Sequence, residues 1–248
     1  MSKVALVTGG AGFIGSHLAG ELIKQSIKVV VVDDLSAGRL HRIPNGCQFI
    51  QKRIQDTYVS ELPDKLDIIY HLGEYSRVEN SFNCADGVIS NNLTACAEVL
   101  KIAREKNAKL IYSGSSTKFG DKGDNKYDSP YALSKYLNTE MVNSYAGWYR
   151  LKYAISYFYN VYGDGENSEG EFATVIAKFL KRNRDGKKLE IVSPGTQTRN
   201  FTHIDDTVDA LILIGEMGNG DNYGIASDQY FTIKEVADMI SDKQALIP

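Results

Sequence analysis

Val4-Ala5-Leu6-Val7-Thr8-Gly9-Gly10-Ala11-Gly12-Phe13-Ile14-Gly15-Ser16-His17-Leu18 is the stretch whose reading decides the fold. A short apolar run leads into glycines at G-x-x-G-x-x-G spacing, and apolar residues then recur at helical period in Phe13, Ile14, Leu18 and Leu22. The pattern predicts a strand, a tight turn and a helix. Gly9 lets the chain turn sharply, Gly12 lets the backbone approach a bound pyrophosphate, and Gly15 lets the helix pack on the strand. The unpaired N–H groups and positive dipole end of that helix then face the phosphates. Glycines alone are a weak signal, because such turns also occur without a ligand. The context that strengthens them is a second strand, Lys28-Val29-Val30-Val31-Val32, ending in Asp33-Asp34 at roughly the ~20-residue offset of a dinucleotide site. A carboxylate there accepts hydrogen bonds from the adenosine ribose and repels a 2′-phosphate, so the reading is NAD rather than NADP. The plainer alternative is that Asp33 only ends a strand.

Bulk properties narrow the classes. The chain has 248 residues and a formal charge of −3 with a pI near 5.9, which offers no surface for nucleic acid. Its basic cluster, Lys181-Arg182-Asn183-Arg184 with Lys187-Lys188, reads as a solvated helix end. No apolar run reaches the ~18 residues of a membrane span, and Met1-Ser2-Lys3 leads toward a strand without a signal-peptide pattern, so a soluble cytoplasmic protein is expected. Cys47, Cys84 and Cys96 are widely spaced and the histidines are scattered, so neither a disulfide framework nor a metal site is expected.

Further apolar runs at Cys47–Ile50, Leu66–Leu72, Lys109–Ser113 and Tyr153–Tyr159 read as strands three to six. A long helix is predicted from about Ala85 to Glu105, and another begins at Ser129-Pro130, where Ser can cap and Pro can take the first helical position. Apolar strands alternating with amphipathic helices mean an α/β fold with a doubly wound parallel sheet. Beyond Asn160 the texture changes: a polar, Gly-rich loop over Gly163–Gly170 precedes helices at about Phe172–Asn183, Asp205–Gly215 and Thr232–Ile240, with short strands at Leu189–Val192 and Tyr223–Ile225. The expected division is a Rossmann domain over 1–160 and a small C-terminal substrate lobe over 161–248, interleaved with the sheet.

Tyr131 and Lys135 stand four apart on one helical face. An ammonium beside a phenol favours the phenolate, and the helix N-terminus adds to that, so Tyr131 is a candidate acid or base, while Lys135 can also reach the nicotinamide ribose. Such a pair alone is usually no more than helix surface. Its company is Ser113-Gly114-Ser115-Ser116-Thr117 after the fifth strand, whose hydroxyls lie at the carboxyl edge of the sheet and either bond a substrate oxygen or satisfy their own turn. No G-x-S-x-G elbow competes with this arrangement.

These residues together resemble the extended short-chain dehydrogenase/reductases, in their nucleotide-sugar epimerase and dehydratase branch. The resemblance covers nearly the whole chain: Thr8 to Gly15, Asp33 to Gly38, His71-Leu72-Gly73, Ser115 to Gly120, Tyr131 with Lys135, Asn160-Val161-Tyr162-Gly163 and Gln197-Thr198-Arg199-Asn200-Phe201. It implies Ser115, Tyr131 and Lys135 as a catalytic trio. Gly9, Gly12, Phe13, Ile14, Gly15, Asp33, Asp34, Ser36, Ala37 and Gly38 then wrap the cofactor, with Ile54, Leu72, Asn92 and Phe158 assigned to the same site. Asn160 and Arg199 are expected on the substrate diphosphate, and Ser115, Thr117, Tyr131 and Glu74 at the sugar. The family's dehydratases carry an Asp-Glu pair after the serine and its decarboxylases a glutamate; here those positions are Ser116 and Thr117, as in the simple 4-epimerases. The expectation is NAD-dependent C4 epimerisation of a nucleotide-diphosphate sugar through a 4-keto intermediate, in a homodimer built on the helix bearing Tyr131. The rivals are a 4-keto-sugar reductase, a 4,6-dehydratase and a non-catalytic NAD-binding protein.

Several positions depart from the family pattern. Lys52-Arg53-Ile54-Gln55-Asp56 stands where an aspartate usually contacts adenine, and Arg53 either stacks on adenine or is solvated. Glu74 replaces a small residue and either reads a substrate hydroxyl or amine, or pairs with Arg77. Phe119, Tyr157 and Asn200 replace a tyrosine, an arginine and an aspartate. Members usually run well past the position of Pro248, so a compact lobe or a pocket completed by a partner subunit is expected.

Overall fold

Alternate residues of each apolar run go to opposite faces of one sheet, and both faces are covered, which is why the runs are continuous rather than striped. The computed structural model describes residues 2–170 and 172–248, and of residues 120–124 the backbone alone; Met1, quoted above as leading toward the first strand, lies outside them. The strands are β1 (Val4–Thr8), β2 (Lys28–Val32), β3 (Gln48–Ile50), β4 (Ile68–His71), β5 (Lys109–Ser115) and β6 (Tyr153–Phe158). Leu6, Val30, Val32, Ile69, Leu110, Tyr112 and Ile155 face one layer, where they meet Ala95, Val99, Leu100 and Ala103 of α2 (Ala85–Lys106) and Val142 of α3 (Pro130–Tyr149). Ala5, Val7, Val29, Val31, Tyr70, Ile111 and Ala154 face the other, against Leu18 and Leu22 of α1 (Phe13–Lys24) and Val208 and Leu211 of α5 (Ile204–Met217). Each such aliphatic side chain removed from water is worth about 1.5–3 kcal/mol.

The sheet has seven strands, all parallel: Gly220–Ile225, then β6, β5, β4, β1, β2 and β3. β1 is flanked by β2 on one side and β4 on the other. The strand order reverses there, and the crevice beyond the carboxyl ends of β1 and β4 is where ligands of open α/β sheets lie.

Beyond residue 160 the chain both leaves the main sheet and returns to it. The strand Gly220–Ile225 pairs with β6, and α5 shares a core with α1, so the chain returns to the main sheet after leaving it. The separate lobe reduces to α4 (Val175–Arg184), α6 (Ile233–Ile240) and the parallel pair Leu189–Val192 with Gln244–Ile247, around Phe179, Leu189, Ile191, Ile233, Val236 and Ala237. Among the described residues no helix is long and apolar enough to cross a membrane.

Candidate active site

A cleft of about 970 Å³ opens at the reversal of strand order, lined from the glycine turn through the ends of β2, β4 and β5 to the start of α3. Gly9 has φ +70°, and a Cβ there would lie 2.8 Å from the backbone of Leu72 and Gly73; one on Gly15 would lie 2.2 Å from the Gly9 carbonyl. Both positions therefore demand glycine. Gly12 caps α1 without any side-chain hydrogen bond, so the first N–H groups of the helix, at Phe13, Ile14 and Gly15, border the cleft with the positive end of the dipole behind them. That cradle fits a pyrophosphate.

The acidic end of β2 borders the same cleft. Asp33 is buried, and its oxygens accept the N–H of Ala11 (3.0 Å) and of Leu35 (2.8 Å), tying the glycine turn to β2. Burial pushes its carboxyl up against the pull of those two donors. At Asp34 burial acts in the same sense, but Ser36 and Arg53 outweigh it and hold the carboxyl below its ordinary range. Arg53 Nε lies 3.4 Å from Asp34 at the cleft rim, beside Ser36, Ala37, Gly38 and the buried Ile54. A carboxylate pair at this place suits a free ribose diol and disfavours a phosphate on it.

Ser115 closes β5. Its Oγ accepts both the N–H (3.4 Å) and the hydroxyl (2.9 Å) of Thr117, so the group it has left to offer is its own proton. Behind it, Lys118 donates to Tyr157 Oη (2.9 Å) and Asp221 (2.6 Å), and Tyr157 donates to Asp221 (2.6 Å). With Phe119 edge-on to the Tyr157 ring at 4.8 Å, this fastens the turn after Ser115 to the outermost strand. Tyr157 thus acts as a structural clamp, and burial followed by its hydrogen bond to Asp221 pushes its phenol well up. Ser129 caps α3 by accepting the Ala132 N–H at 3.0 Å, with Pro130 in the first turn. Tyr131 therefore enters the cleft lining from the positive end of α3, one turn before Lys135.

Lys135 is buried. Its ammonium donates to Glu74 (2.6 Å) and to the Ser113 carbonyl, and lies 4.6 Å over the Tyr112 ring. Glu74 also accepts from Tyr112 Oη (3.0 Å), Asn138 Nδ2 (2.9 Å) and His71 Nε2 (3.0 Å). Burial raises the Glu74 carboxyl, but Lys135 and then His71 reverse the effect and hold it at about 2. Burial first, and then the Glu74 charge, push the Tyr112 phenol well up, so it serves as a donor.

Some expectations need correction. Glu74 does not pair with Arg77 and has no lone pair left for a substrate; its partners lie inside the protein. Arg77 instead donates to the Phe172 carbonyl and covers the Phe172 ring at 5.7 Å, while Tyr75 meets that ring edge-on at 5.8 Å. Asn92, expected on the cofactor, is fully buried and absent from the cleft lining, because its amide is spent on the Tyr75 backbone and Ser134. Arg199, expected on the diphosphate, is exposed outside the cleft in the two-stranded pairing of Thr198–Arg199 with Phe231–Thr232, and bonds the Thr198 carbonyl. Asn160, at φ +42°, does border the cleft, as do Leu72, Phe158 and Thr117. Tyr75, Arg77, Glu166 and Phe172 also line it and were not singled out as binding residues; the polar loop Gly163–Gly170 was the signal that a wall of the cleft lay there. Among the described residues no group of acidic, histidine and cysteine side chains could hold a metal ion.

A model of the NAD dependent epimerase/dehydratase family matches residues 5–226. The chain is 31% identical to a UDP-N-acetyl-alpha-D-glucosaminuronate decarboxylase of Bacillus cytotoxicus, over 96% of this chain and 79% of that protein. A UDP-N-acetylglucosamine 4-epimerase from Methanobrevibacter ruminantium, solved with UDP-N-acetylmuramic acid, superposes with a TM-score of 0.91 at 27% identity over 99% of this chain and 84% of that one. The enzyme WbmF of Bordetella bronchiseptica, solved with NAD+, gives a TM-score of 0.88 at 26% identity over 96% and 77%.

Proposed function

The chain belongs to the NAD-dependent epimerase/dehydratase family, and from that premise we propose that it epimerises a nucleotide-diphosphate sugar at C4 through a 4-keto intermediate. The observation that carries this reading is the exit of β5. Ser115 has only its proton to offer, and the two positions after it are Ser116 and Thr117, with Thr117 already spent on Ser115. No carboxyl stands there as a second acid for eliminating water or for steering a carboxylate, which a dehydratase or decarboxylase would need.

The residues of the cleft divide the work. The glycine turn, the α1 N-terminus and the Asp33–Asp34 edge bind and orient the cofactor. When bound, NAD supplies the centre that accepts and returns the hydride at C4. Tyr131 takes the proton of the sugar 4-hydroxyl and later gives it back, and Ser115 donates a hydrogen bond to the same oxygen. Lys135, one helical turn beyond Tyr131, offers an N–H to the nicotinamide ribose. Asn160 and the Arg77–Phe172 wall hold the nucleotide end while the keto sugar turns over. Because the cofactor is restored in every cycle, the protein's contribution is positioning and proton handling.

A second copy of the chain is expected to pack on α3, whose Leu137, Trp148 and Tyr149 are exposed; light scattering that shows a monomer at micromolar concentration would remove that part. The reading itself is tested by incubating the protein with NAD and a panel of nucleotide sugars and following C4 by NMR. Appearance of the C4 epimer in wild type and its loss in Tyr131→Phe is the expected result. Stoichiometric consumption of added NADPH with no epimer would make the protein a reductase, and formation of a 4-keto-6-deoxy sugar would make it a dehydratase.

A further inference from the structure

Glu74 borders the cleft, yet its side chain is only 2% exposed. All of its acceptor capacity is used: His71 Nε2 and Asn138 Nδ2 donate to Oε1, and Tyr112 Oη and Lys135 Nζ donate to Oε2. A carboxylate has about four lone-pair sites, so none is left for a ligand. Its shortest contact is the Lys135 ammonium. That ammonium has three N–H groups, of which Glu74 takes one and the Ser113 carbonyl a second; the third is what Lys135 can give the cleft.

The network also reaches the cofactor cradle. The Gly73 N–H donates to Thr8 Oγ1 (3.1 Å), and Thr8 Oγ1 pairs with Nδ1 of His71 (2.6 Å), whose other ring nitrogen meets Glu74. Gly73 packs so closely on the glycine turn that a Cβ on Gly9 would meet its backbone at 2.8 Å. One buried carboxylate thus connects the turn that holds the pyrophosphate with the helix that bears Tyr131 and Lys135. An apolar residue at this position would leave the lysine to choose among rotamers.

We infer that Glu74 is a positioning residue acting through Lys135: it holds the ammonium against the cleft wall so that a single N–H meets the nicotinamide ribose of the bound cofactor. The inference rests on the reading that NAD lies in this cleft with that ribose at Lys135, and needs no turnover for its test. The test is NAD binding by calorimetry to the whole chain in a double-mutant cycle of wild type, Glu74→Gln, Lys135→Met and the double variant. Glu74→Gln is expected to weaken NAD about tenfold when Lys135 is present and less than about twofold when it is methionine, as for residues in one network. In lysine-labelled protein the Lys135 ammonium resonance, sharp in wild type, should broaden in Glu74→Gln. Equal loss in both backgrounds, or no loss with Lys135 present, would overturn the inference. Should Glu74→Gln not fold, Tyr112→Phe removes one donor to Glu74 and should give the same Lys135-dependent weakening on a smaller scale; its absence counts against the proposal equally. A protein that binds NAD with this coupling but converts no sugar sinks the epimerase reading alone, and one that epimerises without the coupling sinks this inference alone.

Discussion

Replacing Glu74 by glutamine should change how the stability of the protein depends on pH, in a direction and size that the buried network dictates. In the folded chain the Glu74 carboxyl is held at about 2, against an ordinary value of 4.5. A carboxyl depressed by folding stabilises the native state above its unfolded pKa, and that stabilisation is lost as pH falls toward the folded value. The full difference corresponds to about 3 kcal/mol; about 1 kcal/mol of it should be gone at pH 4 and about 2 at pH 3. At neutral pH the variant leaves the Lys135 ammonium buried without its counter-charge, which costs about 3–5 kcal/mol. Urea unfolding of wild type and Glu74→Gln, followed by far-ultraviolet circular dichroism from pH 7 downward, reads both quantities. Other carboxylates titrate in both proteins, so only the difference between the two curves matters, and that difference should shrink as the pH falls. A difference that stays flat or widens between pH 7 and pH 3 would refute the claim that a charged Glu74 holds this network together.

Three further outcomes follow from the same geometry. Gly15→Ala would drive a methyl to 2.2 Å from the Gly9 carbonyl and 2.9 Å from Gly10 Cα; we expect loss of NAD binding by calorimetry and a stability cost of at least about 1–3 kcal/mol in urea titration. Asp33→Ala removes the acceptor of the Ala11 and Leu35 N–H groups, and should lower stability by about 1–3 kcal/mol while weakening NAD. Thr117→Val takes away the hydroxyl that fixes Ser115 Oγ, so kcat should fall about tenfold with NAD affinity unchanged; an unchanged kcat would remove Ser115 orientation from the mechanism.

The main sheet was legible because its strands are buried on both faces, so Val4–Thr8 and Lys28–Val32 read as unbroken apolar runs. The start of α3 was legible because Ser129-Pro130 is a local signal that needs no tertiary partner. The seventh strand was only half visible: Gly220, Asp221 and Asn222 break the apolar pattern, and Asp221 is there for Lys118 and Tyr157, which are far away in the chain. The helix expected from Phe172 begins at Val175, because Thr174 adopts the extended conformation of an N-cap and Phe172 turns to the cleft wall. Glu74 shows the limit most clearly. The sequence offered Arg77, three residues on, while its partners Tyr112, Lys135 and Asn138 are 38, 61 and 64 residues distant. Asn92 follows the same rule, its amide taken by Tyr75 and Ser134, 17 and 42 residues away, whereas Arg199 lies exposed outside the cleft because the short pairing of Thr198–Arg199 with Phe231–Thr232 places it there.

The most direct measurement is an NMR time course of a nucleotide sugar with the protein and bound NAD in deuterated water. The account predicts that the C4 epimer accumulates with no solvent deuterium at C4 and no net change in the cofactor, and that Tyr131→Phe is inactive while still binding NAD. Deuterium appearing at C4, or an undiminished rate in Tyr131→Phe, would contradict it.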